Sequence, residues 1–354
     1  MVADSGPKSF RDIVRNHNRF LVSPLQWTSR HLDLVGSRFE DIATTTVYTQ
    51  QDRNTDGRNS TLAATDLIQN DTNKKDQEHC SRPHVQSDAE VIATGIFPET
   101  KRDRLIKILV GKHCPFAHIS KGPSFFFGGR SVHRPGYIVF HRHKEPIDHT
   151  NNRPPSLLGY VHYTTVNGAR DRQFYPCPGP RGATNKVGWS IHRKRLAQTT
   201  PEEWTEDPYF VCHLLALAQL QERNINSSKP ITYTSRLLVT NVLEREYILF
   251  YEAKITTELL SALRNWMDAT IPIQWPTIQR KKIPYKPYDT FASRLKTELG
   301  ETSPLPSPSL SNTSKDVDGV DEHSGKRSYE PEDSGSSKMM RYGKEEQVYR
   351  GTSE

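Results

Sequence analysis

Apolar positions along this chain follow two different patterns. Over residues 91–97, 105–110, 124–127, 137–140, 157–166 and 173–175 they come in short runs, broken by Gly, Pro and charged residues. Short apolar runs between turn residues predict a mainly antiparallel sheet. Residues 189–191 fit either one more strand or the approach to a helix. The pattern changes at Asp207-Pro208, which predicts a helix start: Asp accepts from free N–H groups and Pro suits the first helical position. Phe210, Val211, Leu214, Leu215, Leu217, Ala218 and Leu220 follow, apolar on most sides, as in a buried helix. Residues 231–242 and 247–255 then read as a strand pair joined by a turn. Thr256 or Thr257 caps a second helix carrying Leu259, Leu260, Leu263, Trp266 and Met267, stopped by Pro272. The expected class is α+β, a mainly antiparallel sheet followed by a helix–strand–strand–helix unit.

The ends read differently. Residues 1–27 show no clear period, and 28–44 predict a short helix through Leu32, Leu34, Val35, Phe39 and Ile42. Residues 45–88 are too polar to offset the entropy of ordering them. The predicted organisation is a largely flexible region at 1–89, one domain at 90–295, and a disordered tail at 296–354 opening on Ser303-Pro304 and Ser307-Pro308. Composition agrees. Of the 354 residues 34% are apolar, and the 20 Gly raise this only to about 40%, against the ~45–50% of globular chains. The deficit falls in 45–88 and 301–354, which leaves enough for one core. No run of ~18 apolar residues occurs, and the start lacks the pattern of a secretory signal. Four cysteines do not make a disulfide framework. The expectation is a protein of nucleus or cytoplasm, neither secreted nor membrane-bound.

Charge sharpens the picture. Residues 101–200 carry 18 Lys/Arg against 4 Asp/Glu, a net of +14, while the whole chain has +7. A basic segment between neutral or acidic ones points to an anion-facing surface. His133, His141, His143 and His149 interleave there with cations and with Phe125, Phe126, Phe127, Tyr137 and Phe140. Basic and aromatic residues together track phosphates and stack bases. The candidates are Arg130, Arg134, Arg142, Lys144, Arg193, Lys194 and Arg195, and the implied partner is nucleic acid or an acidic protein. An RNA-recognition strand is set aside, because Pro123 and Gly128 stand where that motif needs aromatics.

The segments Asp207-Pro208-Tyr209-Phe210-Val211, Ala216-Leu217-Ala218-Gln219, residues 247–255 and residues 283–291 resemble a group of filamentous-fungal proteins of unknown function. The resemblance covers roughly 90–295. It implies a domain and a lineage, and carries no catalytic residue. Separately, Glu252-Ala253-Lys254 at a strand end resembles the Glu-x-Lys element of PD-(D/E)XK nucleases. There a carboxylate holds Mg²⁺ and the lysine orients the attacking water. The motif needs a second acid on the preceding strand, where Asn241 stands nearest. His79-Cys80 with His84, and Cys114 with His118, lack zinc-type spacing, so no metal is expected. No Gly-x-Ser-x-Gly elbow supports a serine hydrolase.

Lys326-Arg327 and Lys338 with Arg341 resemble the two clusters of a bipartite nuclear-import signal, which engages an import carrier. The favoured reading is a non-enzymatic nuclear or nucleocytoplasmic binding protein that uses the basic middle and needs no cofactor. A nuclease-like protein using Glu252, Lys254 and Mg²⁺, possibly degenerate, and an accessory protein of a specialised pathway are the alternatives. A fluorescent fusion of residues 296–354 is expected to concentrate in nuclei and to lose that bias when Lys326 and Arg327 become Ala. Even distribution of the unmodified fusion removes the import signal.

Overall fold

The structure is a computed structural model, and it describes residues 8–17, 21–42, 86–110, 114, 116–119, 121–142, 156–225 and 230–299. Helix α1 (Phe10–Asn16) starts at Ser9, whose Oγ accepts the Asp12 N–H at 3.1 Å. A 3-10 turn over Pro24–Gln26 precedes α2 (Ser29–Val35). That helix stops at Gly36, with φ of 73°, a left-handed conformation that glycine adopts without strain. Strand β1 (Arg38–Asp41) follows. Helix α3 (Asp88–Thr94) is capped by Ser87, which accepts the Glu90 N–H at 3.1 Å, and α4 (Pro98–Leu109) begins on Pro98. Next come β2 (Phe116–Ile119), β3 (Phe125–Phe127), β4 (Arg130–His133), β5 (Ile138–Arg142) and β6 (Leu157–His162). Three helices follow: α5 (Tyr163–Phe174), α6 (Lys186–Thr199) and α7 (Tyr209–Arg223). The last elements are β7 (Thr232–Thr240), β8 (Tyr247–Thr256), α8 (Thr257–Arg264), β9 (Thr277–Pro284) and α9 (Phe291–Glu298).

The described strands form a seven-stranded sheet in the order β1-β9-β8-β7-β6-β5-β2, with β3 and β4 as a separate hairpin. Pairing is antiparallel except for β1 with β9 and β6 with β7. The class is therefore α+β, with a mixed, mostly antiparallel sheet. Both faces are covered. In β8, Leu249, Tyr251, Ala253 and Ile255 point into one core with α1, α2, α5, α7 and α8, while Ile248 and Phe250 point into a second core with α3, α4 and α9. This is the two-residue alternation of a strand expressed twice. Gly159 in central β6 lets α7 approach: a Cβ there would lie 2.9 Å from Leu237 Cδ1 and 3.2 Å from Leu217 Cδ1.

The helix–strand–strand–helix order is present as α7-β7-β8-α8, and Thr256 caps α8 by accepting the Leu259 N–H at 3.2 Å. Several expectations need correction. Residues 91–97 and 105–110 lie in helices α3 and α4 and their ends, not in strands. The buried positions Ala89, Ile92, Ala93 and Leu105, Ile108, Leu109 each follow the i, i+3, i+4 rule. Short apolar runs do not separate a strand from a buried helix. Residues 163–166 and 173–174 belong to α5, the predicted 28–44 helix is a helix followed by a strand, and β9 and α9 were unforeseen. The packed unit also starts upstream of residue 90, since Phe10, Ile13, Val14, Leu25, Trp27, Leu32 and Val35 are in the core. Most of the stretch predicted flexible at 45–88 and the tail from 300 onward lie outside the described residues.

Two buried charges organise this packing. Arg170 and Asp207 are both fully buried and paired at 2.9 and 2.8 Å. Arg170 Nε also donates to Leu25 O at 3.1 Å, and Asp207 accepts from Tyr163 Oη and from the Tyr209 N–H. Lys101, equally buried, donates from Nζ to Ile92 O at 2.6 Å and so closes the C-terminal end of α3. Burial lowers its pKa to about 8. Removing one partner of a buried pair strands the other charge in a dry site. Arg170→Met is therefore expected to cost about 3–5 kcal/mol, read as a fall in urea midpoint, with part of the loss restored in Arg170→Met/Asp207→Leu.

Candidate anion-binding site

Helix α6 lies outside both cores. Asn185 caps it, accepting the Gly188 N–H at 2.7 Å, and of its fourteen residues only His192 is buried. His192 Nε2 meets Asp171 at 3.0 Å, which fastens the helix to α5. At 100° per residue, Arg195 then flanks this inner stripe on one side, Lys186 and Arg193 share the other flank, and Lys194 faces outward. Arg172, Arg181, Lys186, Arg193, Lys194 and Arg195 are all exposed, and none forms an ion pair among the described residues. Beside them Tyr175 is 61% exposed, its ring edge-on to Trp189 at 5.0 Å. The surface combines cations unpaired among the described residues with one exposed aromatic ring, Tyr175.

Arg195 also reaches the rim of a cleft of about 800 Å³ between α6 and the N-terminal segment. Asn16 and His17 at the end of α1, Gln26, then Thr28, Arg30 and His31 around the start of α2 form one wall. Gln198 and Thr199 stand opposite, with Val22, Leu34 and Phe174 as the apolar part. No carboxylate lines it. The Thr28 N–H donates to His31 Nδ1 at 3.0 Å, so the neutral His31 ring carries its proton on Nε2 and acts there as a donor. His17 Nε2 is shielded from water without a hydrogen-bond partner. Such an atom is costly when left unmatched.

The sequence candidates are distributed over several elements. Arg193, Lys194 and Arg195 sit together on α6, and of the seven only Arg195 lines the cleft. Arg130 and Arg134 are exposed at the two ends of β4, on the hairpin away from the main sheet, and Arg142 ends β5. Lys144 and the import candidates Lys326, Arg327, Lys338 and Arg341 lie outside the described residues. His17, Arg30 and His31 escape the sequence reading because they fall in the stretch 1–89 predicted to be largely flexible, outside the domain at 90–295. The Ser9 cap with Phe10, Ile13 and Val14 at helical spacing was the available signal.

Among the described residues, the Glu252–Lys254 pair gathers no further metal-ligating side chain. Across the ladder Glu252 stands opposite Arg236 on one side and Gln279 on the other. Arg236 Nε donates to Glu252 Oε2 at 2.8 Å, so a cation fills the place that the nuclease reading needs for an acid. Asn241 lies at the far end of β7, its carbonyl turned to Lys101. Among the described residues no group of three or more metal-ligating side chains occurs. His79, Cys80 and His84 lie outside them, and Cys114 Sγ accepts from Lys296 Nζ at 3.3 Å. No described helix is long and apolar enough to cross a membrane.

A second concentration of titratable groups is internal. His133 Nε2 lies 2.7 Å from Tyr209 Oη, and His213 Nδ1 donates to Tyr209 O at 2.9 Å. The His213 ring meets Tyr137 edge-on at 4.8 Å. Burial lowers His213 to about 3 and raises the Cys212 thiol and the Tyr137 hydroxyl well above their ordinary values. His162, buried near the Lys101 charge, is lowered to about 4. These groups are neutral at pH 7, and their environment is apolar packing.

Comparison with family models, curated proteins and solved structures finds no match to the chain. The fold alone defines its class: an α+β domain with a mixed, mostly antiparallel sheet.

The buried histidines make stability acid-sensitive. Unfolded, His213 and His162 take up protons near pH 6.5; folded, they stay neutral down to about 3 and 4. Their contribution is complete above pH 6.5 and is lost as pH falls toward those values, by about 1.4 kcal/mol per pH unit for each ring. Urea midpoints measured from pH 7 to pH 5 are expected to fall, and to fall about one proton's worth less steeply in His213→Leu.

Proposed function

We propose that the protein is a non-enzymatic nuclear or nucleocytoplasmic binding protein that holds a single-stranded nucleic acid on α6. One observation carries this reading. Six exposed cations between Arg172 and Arg195 have no ionic partner among the described residues, and one of them, Arg195, lines a cleft with no carboxylate among its described lining residues. Unpaired cations in a folded domain repel one another, and a polyanion relieves that repulsion while releasing its own counterions. The exposed Tyr175 ring, braced by the half-buried Trp189, favours nucleic acid over an acidic polypeptide, because an exposed ring beside cations gives bases a surface to stack on.

The measurement is binding of labelled single-stranded DNA and RNA, duplex DNA and poly-glutamate over a salt series. Single strands are expected to bind most tightly, with affinity falling linearly on a log–log plot against salt. Arg193→Ala/Lys194→Ala/Arg195→Ala removes three surface cations and no core contact. It is expected to reduce the slope by about two, at ~0.7 per phosphate for single strands. Equal binding of poly-glutamate turns the reading to an acidic protein, and no binding of any polyanion at low salt removes it.

A further inference from the structure

The groove beside α6 changes sign. Thr28, Gln198 and Thr199 are shared by the cationic cleft and by a neighbouring hollow of about 370 Å³. That second hollow is lined by Asp33, Glu202, Glu203 and Glu206. Glu206 is paired with Arg280 at 3.2 Å, and Arg38 at the same place is spent on Glu40 at 2.6 Å. Asp33, Glu202 and Glu203 are exposed and make no ion pair among the described residues. The C-terminal end of α6, which adds the negative end of the helix dipole, falls at this boundary.

A polyanion laid along the basic part of α6 therefore meets repulsion past Thr199. It cannot continue through the groove, but it can end there. We infer that the cleft is a terminus site, taking the terminal phosphomonoester of a nucleic-acid strand whose backbone α6 holds; this rests on the function proposed above. Two features of the cleft fit an end better than a chain interior. A phosphomonoester carries up to two negative charges at pH 7, one more than a backbone diester. Arg30 and Arg195 supply charge for it. The volume of about 800 Å³ admits a nucleotide, with Val22, Leu34 and Phe174 against its sugar or base.

The test uses the full chain and one oligonucleotide sequence in four forms: 5′-phosphate, 3′-phosphate, hydroxyl at both ends, and a closed circle. One phosphorylated end is expected to bind about tenfold tighter than the hydroxyl form, the scale of one charge-assisted contact set. Arg30→Ala, at an exposed position, is expected to abolish that preference. Arg193→Ala/Lys194→Ala is expected to weaken every form by the same factor. A nucleoside monophosphate is expected to erase the preference and leave the residual binding. Glu202→Lys/Glu203→Lys is expected to raise affinity for the circle by lifting the barrier. Equal affinity for all four forms overturns the inference and leaves the α6 reading standing. An unchanged circle affinity in the Glu202/Glu203 variant overturns the barrier argument. Binding of the monophosphate without binding of any oligonucleotide overturns both readings and makes the cleft a small-nucleotide site.

Discussion

The buried Arg170–Asp207 pair is the constraint on which the rest of this structure depends. Neither group tolerates a dry environment alone. The protein satisfies both by bringing three separate segments to one point: Leu25 O from the N-terminal segment, Arg170 and Tyr163 from α5, and the start of α7 at Asp207 and Tyr209. Once these meet, the N-terminal segment is held against the face of the sheet covered by α7. Gln26, the residue after Leu25, and Phe174, four residues after Arg170 on α5, are then walls of the same cleft. The pair thus sets the distance across the cleft without touching it.

Charge in this protein is sorted by depth. Inside, each of the three largest commitments is fully matched: Arg170 with Asp207, Lys101 with the carbonyls that end α3, and Lys281 with Glu298 at 2.6 Å. On α6 the opposite holds, and cations stand in water without ionic partners among the described residues. Solvent makes such exposure tolerable, and a screened surface charge costs little. Unmatched charge that water tolerates is also charge available to a ligand. The acidic hollow beyond Thr199 gives that surface a direction as well as a sign.

The Glu252–Lys254 element illustrates why a tripeptide does not define chemistry. A strand places these residues on one face with certainty, since they are two apart. What they do depends on the neighbouring strands. Here β7 brings Arg236 and β9 brings Gln279, and the carboxylate becomes half of a structural ion pair.

The amino-acid sequence by itself determined the local elements whose signals are local. The Asp207-Pro208 start and apolar character of α7, the β7–β8 pair and the Thr256 cap of α8 follow from capping chemistry and hydrophobic period, and they are where those rules place them. It also determined that positive charge concentrates in residues 101–200. Tertiary structure decided the rest. Residues 91–94 and 105–109 became helical because their i, i+3, i+4 faces found a sheet to cover, and a run of a few β-branched residues does not carry that information. Residues 8–42 joined the core through contacts with partners more than a hundred residues away, such as Leu25 with Arg170. The cleft is a property of that long-range contact. Only folding sets His17, Arg30 and His31 opposite Arg195, because their separation along the chain says nothing about their separation in space.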